Sequence, residues 1–242
     1  MRSSLAWIYD RRGTVLILFG VVATIWLKLS GQLNLYIHPR YFTFSVVMAA
    51  VGGYMCVQAI RQKSKVKIDQ LSKRQYISLG LILLSFVALL VLKPSSLSSN
   101  IATQRGINSG SNTEVLSKLT NFDVVSPFGN TETSQLTVKD WANLLSQTSD
   151  QTFFAGKKAK VSGFVTVDSN NNIFFVSRFV VSCCAVDARP IGVPVYKENW
   201  QATYQKDEWV EVSGVFGVYD GQISLKPETI TPISQPESPY VY

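Results

Sequence analysis

Residues 178–190, Arg-Phe-Val-Val-Ser-Cys-Cys-Ala-Val-Asp-Ala-Arg-Pro, concentrate more reactive chemistry than any other stretch of the chain. Two adjacent thiols, Cys183 and Cys184, stand among Arg178, Asp187 and Arg189. Three chemistries suit such a run. Thiolates bind soft metal or metalloid ions, and neighbouring guanidinium groups favour the thiolate. The same pair can cycle between dithiol and disulfide, although adjacent cysteines close a strained ring and no Cys-x-x-Cys is present. The pair can also be structural: if the preceding strand continues through it, alternation turns one thiol inward and the other outward. The sequence leaves all three open. His38-Pro39-Arg40 forms a second polar cluster, readable as a ligand or partner contact, or as a turn closed by Pro39 with Arg40 at lipid headgroups.

Scarcity removes other chemistries. The chain has 242 residues, one histidine and three cysteines. With no histidine after His38, neither a Ser-His-Asp triad nor a two-histidine zinc site fits the carboxyl-terminal half. The cysteines form no disulfide framework, because two are adjacent and Cys56 sits in a hydrophobic run, where packing accounts for it.

The elements that must carry these residues differ between the two halves. Hydrophobic runs at about 14–34, 41–60 and 76–92 each approach the roughly 20 apolar residues a bilayer-spanning helix needs. A cleaved leader is a weaker reading of the first, since no small-residue cleavage site is evident and two further runs follow. Residues 1–93 hold twelve Lys/Arg against two acidic residues, while residues 94–242 hold eleven against fourteen. The basic balance therefore belongs to the hydrophobic half. Arg2, Arg11 and Arg12 precede the first run, and Arg61, Lys63, Lys65, Lys67, Lys73 and Arg74 crowd the segment between the second and third. The positive-inside bias then predicts a multi-pass plasma-membrane protein with a cytoplasmic amino terminus and an extracytoplasmic carboxyl-terminal domain. Lys28 is expected to snorkel, and the Gly52-Gly53 pair to mark close helix contact.

After the runs, 94–121 is rich in Ser and Asn and reads as a flexible spacer. A Thr137–Asp140 capping box followed by Trp141, Leu144 and Leu145 predicts a short amphipathic helix over about 137–148. Strands are expected at 158–167, 173–183, 191–196, 208–219 and 222–225, with a turn at Asp220-Gly221. Glycines inside the similar segments VSGFV (161–165) and VSGVF (213–217) imply bulges or sharp bends. The predicted fold class is thus membrane-anchored α+β: three helices, then a small OB-like β-barrel over 122–242 with one short helix. The proline-containing tail is expected to pack on the barrel through Tyr240 and Tyr242. The mildly acidic outer half argues against nucleic-acid binding.

The Tyr36–Arg40 loop, Arg178-Phe179, the Cys183–Pro190 run and the closing Pro236-Glu237-Ser238-Pro239-Tyr240-Val241-Tyr242 resemble the YcgQ-like family of bacterial membrane proteins, described as permease subunits. The resemblance implies an OB-like carboxyl-terminal domain, a larger polytopic permease as partner and no enzymatic activity. The leading expectation is an accessory membrane subunit whose outer domain binds or gates. The alternative is a self-sufficient protein whose Cys183–Cys184 pair captures or senses a metal or metalloid. A thiol oxidoreductase ranks third.

Overall fold

The computed structural model describes residues 12–62, 74, 77, 78, 80–82, 84, 96–108, 136–167 and 171–242. The chain divides into two compact units, Met1–Ser95 and Ser96–Tyr242.

The first unit contains α1 (Arg12–Leu29) and α2 (Phe42–Arg61), joined by 3₁₀ turns at Gln32–Leu35 and Pro39–Tyr41. Of the three expected spans, Pro39–Arg61 is long and apolar enough to cross a membrane, and Gly13–Leu29 is a shorter apolar helix. Most of the third run, and the basic segment before it, lie outside the described residues; Ile77, Ser78, Gly80, Leu81, Ile82 and Leu84 are helical. Phe44, Tyr54 and Met55 of α2 are exposed. Gly52 is the expected contact glycine: a Cβ there would stand 3.0 Å from the Val21 side chain of α1. Gly53 meets nothing. Cys56 is buried and its thiol donates to the Thr14 carbonyl at 3.6 Å, a packing residue as expected. Lys28 lies 4.3 Å over the Phe42 ring, a cation–π contact that holds the amine at the end of the helix pair.

The second unit is built on a six-stranded sheet: β1 (Lys158–Val167), β2 (Ile173–Val180), β3 (Arg189–Tyr196), β4 (Trp209–Tyr219), β5 (Gln222–Pro232) and β6 (Tyr240–Val241). The order is β1-β4-β5-β3-β2-β6, and β1 also pairs with β2. The glycines explain how one strand serves two partners. Gly163 stands where β1 passes from β4 to β2, and a Cβ there would collide with the Ser177 backbone of β2. At Gly214 the β4–β5 register shifts, and a Cβ would strike the Lys226 carbonyl oxygen. Both expected bends are present, the second as a bulge. Asp220 and Gly221 both take positive φ, 50° and 77°, as a two-residue hairpin turn requires.

Helix α4 (Val138–Gln147) begins at the expected capping box, with the Thr137 hydroxyl and N–H both donating to Asp140 Oδ2. It inserts Trp141 fully into the sheet's core, 4.6 Å from the Phe216 ring and 6.4 Å from Phe154. Phe154 comes from a one-turn helix, α5 (Gln151–Phe154), which the sequence reading lacked.

Two expectations need correction. The described part of the expected spacer carries α3 (Ser99–Arg105), whose Ala102 is completely buried. Its first turn is held by Asp207, which accepts from both the backbone and the hydroxyl of Ser99. Polar composition misled because this segment borrows a core instead of forming one: Ala102 packs into a cluster with Phe164, Phe179, Trp209 and Tyr240. Second, β2 ends at Val180, so the cysteines leave the sheet before their pair begins. The tail behaves as expected: β6 runs parallel to β2, Tyr240 is buried, and the Tyr242 carbonyl accepts from Lys139 Nζ at 2.9 Å.

Candidate metal centre

Pairing of Val180 with Arg189 closes the β2–β3 ladder and leaves Val181–Ala188 as a loop at its end. One turn of 3₁₀ helix, Ala185–Asp187, bends the loop back so that Asp187 lies beside the residues that precede it. Its carboxylate accepts from three successive backbone N–H groups: Ser182 at 3.3 Å, Cys183 at 2.8 Å and Cys184 at 3.4 Å. The Asp187 N–H in turn donates to the Cys184 carbonyl at 3.0 Å. This reciprocal wrapping fixes the backbone at both thiols. Desolvation of Asp187 would raise its pKa, but the N–H groups together with the Cys183 thiol hold it below the usual carboxylate range.

The thiols face each other. The Cys183 thiol donates to the Cys184 sulfur across 3.4 Å, and both cysteines are free. That shared proton splits their chemistry. Hydrogen bonding to Cys184 first, then to Asp187, pushes the Cys183 pKa up to about 11. The Val186 N–H, followed by the Cys183 thiol, pulls the Cys184 pKa down. One sulfur is therefore the readier thiolate and the other its proton donor. The two sulfurs and an Asp187 carboxylate oxygen all lie within 4.8 Å of one another, with Cys183 exposed and the others half-buried. Two soft donors and one hard one, open to solvent, are a donor set that could hold a metal ion. Because both thiols belong to the loop, the inward-and-outward strand reading of the pair does not hold.

The flanking arginines have separate tasks. Arg178 donates through Nε to the Ser162 carbonyl at 2.9 Å, through Nη2 to the Ser162 hydroxyl at 3.1 Å and through Nη1 to the Ser238 carbonyl at 3.4 Å. It also stacks 5.2 Å from the Trp209 ring, and burial pulls its pKa down. Arg178 thus ties β1, β2 and the tail together. Arg189 opens β3 at the foot of the loop and is exposed. His38 and Arg40 belong to the first unit, where a turn at Pro39–Tyr41 is present and His38 Nδ1 caps it by accepting from the Arg40 N–H at 3.0 Å.

One residue at the loop escaped the sequence reading. Arg105, at the end of α3, donates through Nη1 to the Ala188 carbonyl, immediately after Asp187. Asn108 then pairs with β3 like a short strand: its N–H donates to the Pro190 carbonyl, its side-chain amide to the Gly192 carbonyl at 2.9 Å, and its Oδ1 accepts from Gly192 at 3.0 Å. The available signal was Ser98 and Gly106 bracketing the helix, an N-cap residue and a positive-φ glycine.

Two family descriptions cover nearly all of this architecture: the DUF1980 N-terminal domain over residues 12–108 and the DUF1980 C-terminal domain over residues 118–242. The chain belongs to the DUF1980 family. The thiol loop falls in the DUF1980 C-terminal domain, whereas α3 and Asn108, which brace it, fall in the N-terminal one. No curated protein matches the chain. Among solved structures, the OBody AM1L10 bound to hen egg-white lysozyme is similar at 20% identity and a TM-score of 0.23, over 34% of this chain and 83% of that one. Asparaginyl-tRNA synthetase from Pyrococcus horikoshii is similar at 16% identity and a TM-score of 0.21, over 36% of this chain and 23% of that one. Likeness at that level bears on neither ligand nor activity.

Proposed function

We propose that this DUF1980 protein is an accessory membrane subunit of a permease, whose extracytoplasmic domain captures a thiophilic metal or metalloid ion on the β2–β3 loop. The observation that carries the reading is the convergence of Cys183, Cys184 and Asp187 within 4.8 Å on an open loop. Exposed free thiols are unusual on a folded surface, and a backbone wrapped around them by three N–H bonds is more than packing requires. In this reading the six-stranded sheet is an OB-like barrel; the pairing of β1 with both β4 and β2 supports closure. Its walls serve as a rigid mount for the loop. The multi-pass topology and outward orientation rest on the hydrophobic runs and the distribution of Lys and Arg. The permease partner rests on the family resemblance.

The test is affinity purification of a tagged copy from detergent-solubilised native membranes, with mass spectrometry and elemental analysis of one sample. A polytopic permease in near-equal amount together with bound metal or metalloid is the expected result. The ion without a permease would leave a self-sufficient binding protein, and a permease without the ion, even after loading, would remove the capture role.

A further inference from the structure

The two sulfurs of the hydrogen-bonded thiol pair start 3.4 Å apart, a separation that suits an ion with a small bite angle. Sulfurs 3.4 Å apart subtend about 95° at an atom bonded to both at about 2.3 Å, the usual thiolate bond length. A tetrahedral ion at the same bond length spreads two sulfurs to about 3.8 Å, and a linear one to about 4.6 Å. An angle near 95° belongs to a pyramidal centre, in which a lone pair compresses the three bonds below the tetrahedral angle. Donor number points the same way. Among the described residues the group offers two sulfurs and one carboxylate, three donors where a closed tetrahedral site needs four. In a pyramidal trivalent centre the lone pair occupies the fourth direction.

Resting on the capture reading above, we propose that Cys183 and Cys184 chelate a trivalent metalloid, arsenic(III) or antimony(III), as a dithiolate with one oxygen ligand. The exchange is a condensation without electron transfer. In arsenous acid two As–O bonds break and two As–S bonds form. Each thiol proton leaves with a departing hydroxide, so two waters are released and one hydroxyl remains on arsenic; where the Asp187 carboxylate takes its place, that third As–O bond breaks and the hydroxyl leaves to solvent as hydroxide. The loop favours this because Asp187 fixes the backbone at both cysteines and their sulfurs start side by side, so little conformational entropy is lost on binding.

The experiment uses the full chain in detergent with Cys56→Ser, so that the pair supplies the thiols, kept reduced with a phosphine. Arsenite, antimonite, zinc and cadmium are each titrated, and bound element per chain is measured after gel filtration. Expected are one arsenic or antimony per chain and binding at least about tenfold tighter than zinc or cadmium. Cys183→Ser, Cys183→Ala and Cys184→Ser should each abolish tight binding while eluting as the parent does. X-ray absorption of the arsenic complex should give two sulfur neighbours and one oxygen. Tight zinc or cadmium with weak arsenite would overturn the trivalent assignment and leave thiol capture standing. Failure of all four ions would overturn both. Arsenite binding that survives the serine variants would overturn the assignment to this loop.

Discussion

Cys183 and Cys184 are chemically unequal although adjacent, because their backbone surroundings differ. The N–H groups beyond Cys184 point at its sulfur, whereas Cys183 is left as the donor in the pair. Alkylation with iodoacetamide followed by peptide mass spectrometry should therefore modify Cys184 first at neutral pH, since the thiolate is the nucleophile. Cys183 should lag until the pH approaches its raised value of about 11. Equal rates would remove the shared-proton picture. Asp187 is the organiser of both. Its folded pKa is depressed, so its contribution to loop order is present above the unfolded value of about 3.9 and is lost as pH falls through the lower folded one. Loop amides in 182–184 should accordingly keep their hydrogen-exchange protection at pH 5 and lose it in stronger acid. In Asp187→Asn that protection should already be weakened at neutral pH. The motif Cys-Cys-x-x-Asp was visible as a string, but the wrapping of Asp187 around three N–H groups was not, because it depends on the 3₁₀ turn between them.

At the scale of elements, the informative segment is the one whose composition resembled a spacer. Residues 96–108 dock through Ser99 on Asp207, Arg105 on Ala188 and Asn108 on Gly192. Asn108→Ala removes two side-chain hydrogen bonds to β3, and at about 1 kcal/mol each the domain should lose about 2 kcal/mol in urea denaturation. Exchange at the Gly192 amide should rise in the same variant; an unchanged Gly192 amide would count against the docking. The strand glycines carry a comparable constraint. Gly214→Ala forces a methyl against the Lys226 carbonyl, and the resulting shift should cost about 1–3 kcal/mol, read as a lower denaturation midpoint at an unchanged slope. Alternation and the Asp-Gly turn made β4 and the first turn-proximal residues of β5 legible in advance, because a hairpin is specified by neighbours in the sequence; β5 runs on to Pro232, past the expected end at Leu225. That β1 would pair with both β4 and β2 was not legible in its own residues beyond the glycine that permits it.

For the whole molecule, the stability of the second unit centres on Trp141. It brings a fully buried indole from α4 into the core the strands enclose, against Phe154 and Phe216. Trp141→Ala should destabilise the unit by about 3–5 kcal/mol, seen as a lower melting temperature by circular dichroism. Among the described residues, the first unit holds one helix, Pro39–Arg61, that is long and apolar enough to cross a membrane. Phe44, Tyr54 and Met55 remain exposed on α2, which is costly in water and natural in lipid. The protein should therefore stay with membranes through alkaline carbonate extraction. Release into the soluble fraction would contradict the anchoring.

The sequence by itself determined the periodic and local features of this protein. Apolar runs, charge asymmetry, the capping box at Thr137 and the Asp220-Gly221 turn are each specified by residues close together in the chain. Tertiary structure alone decided where β2 stops, that Arg178 serves the β1–tail junction instead of the thiols, and that the supposed spacer braces the loop. Those outcomes depend on partners far away in sequence, such as Ser162 and Ser238 for Arg178 and Ala188 for Arg105. A side chain's surroundings follow from the packing of the folded chain: the local 3₁₀ turn gathers the two thiols and the carboxylate, but the strand ends and the α3 contact that hold this loop come from distant residues.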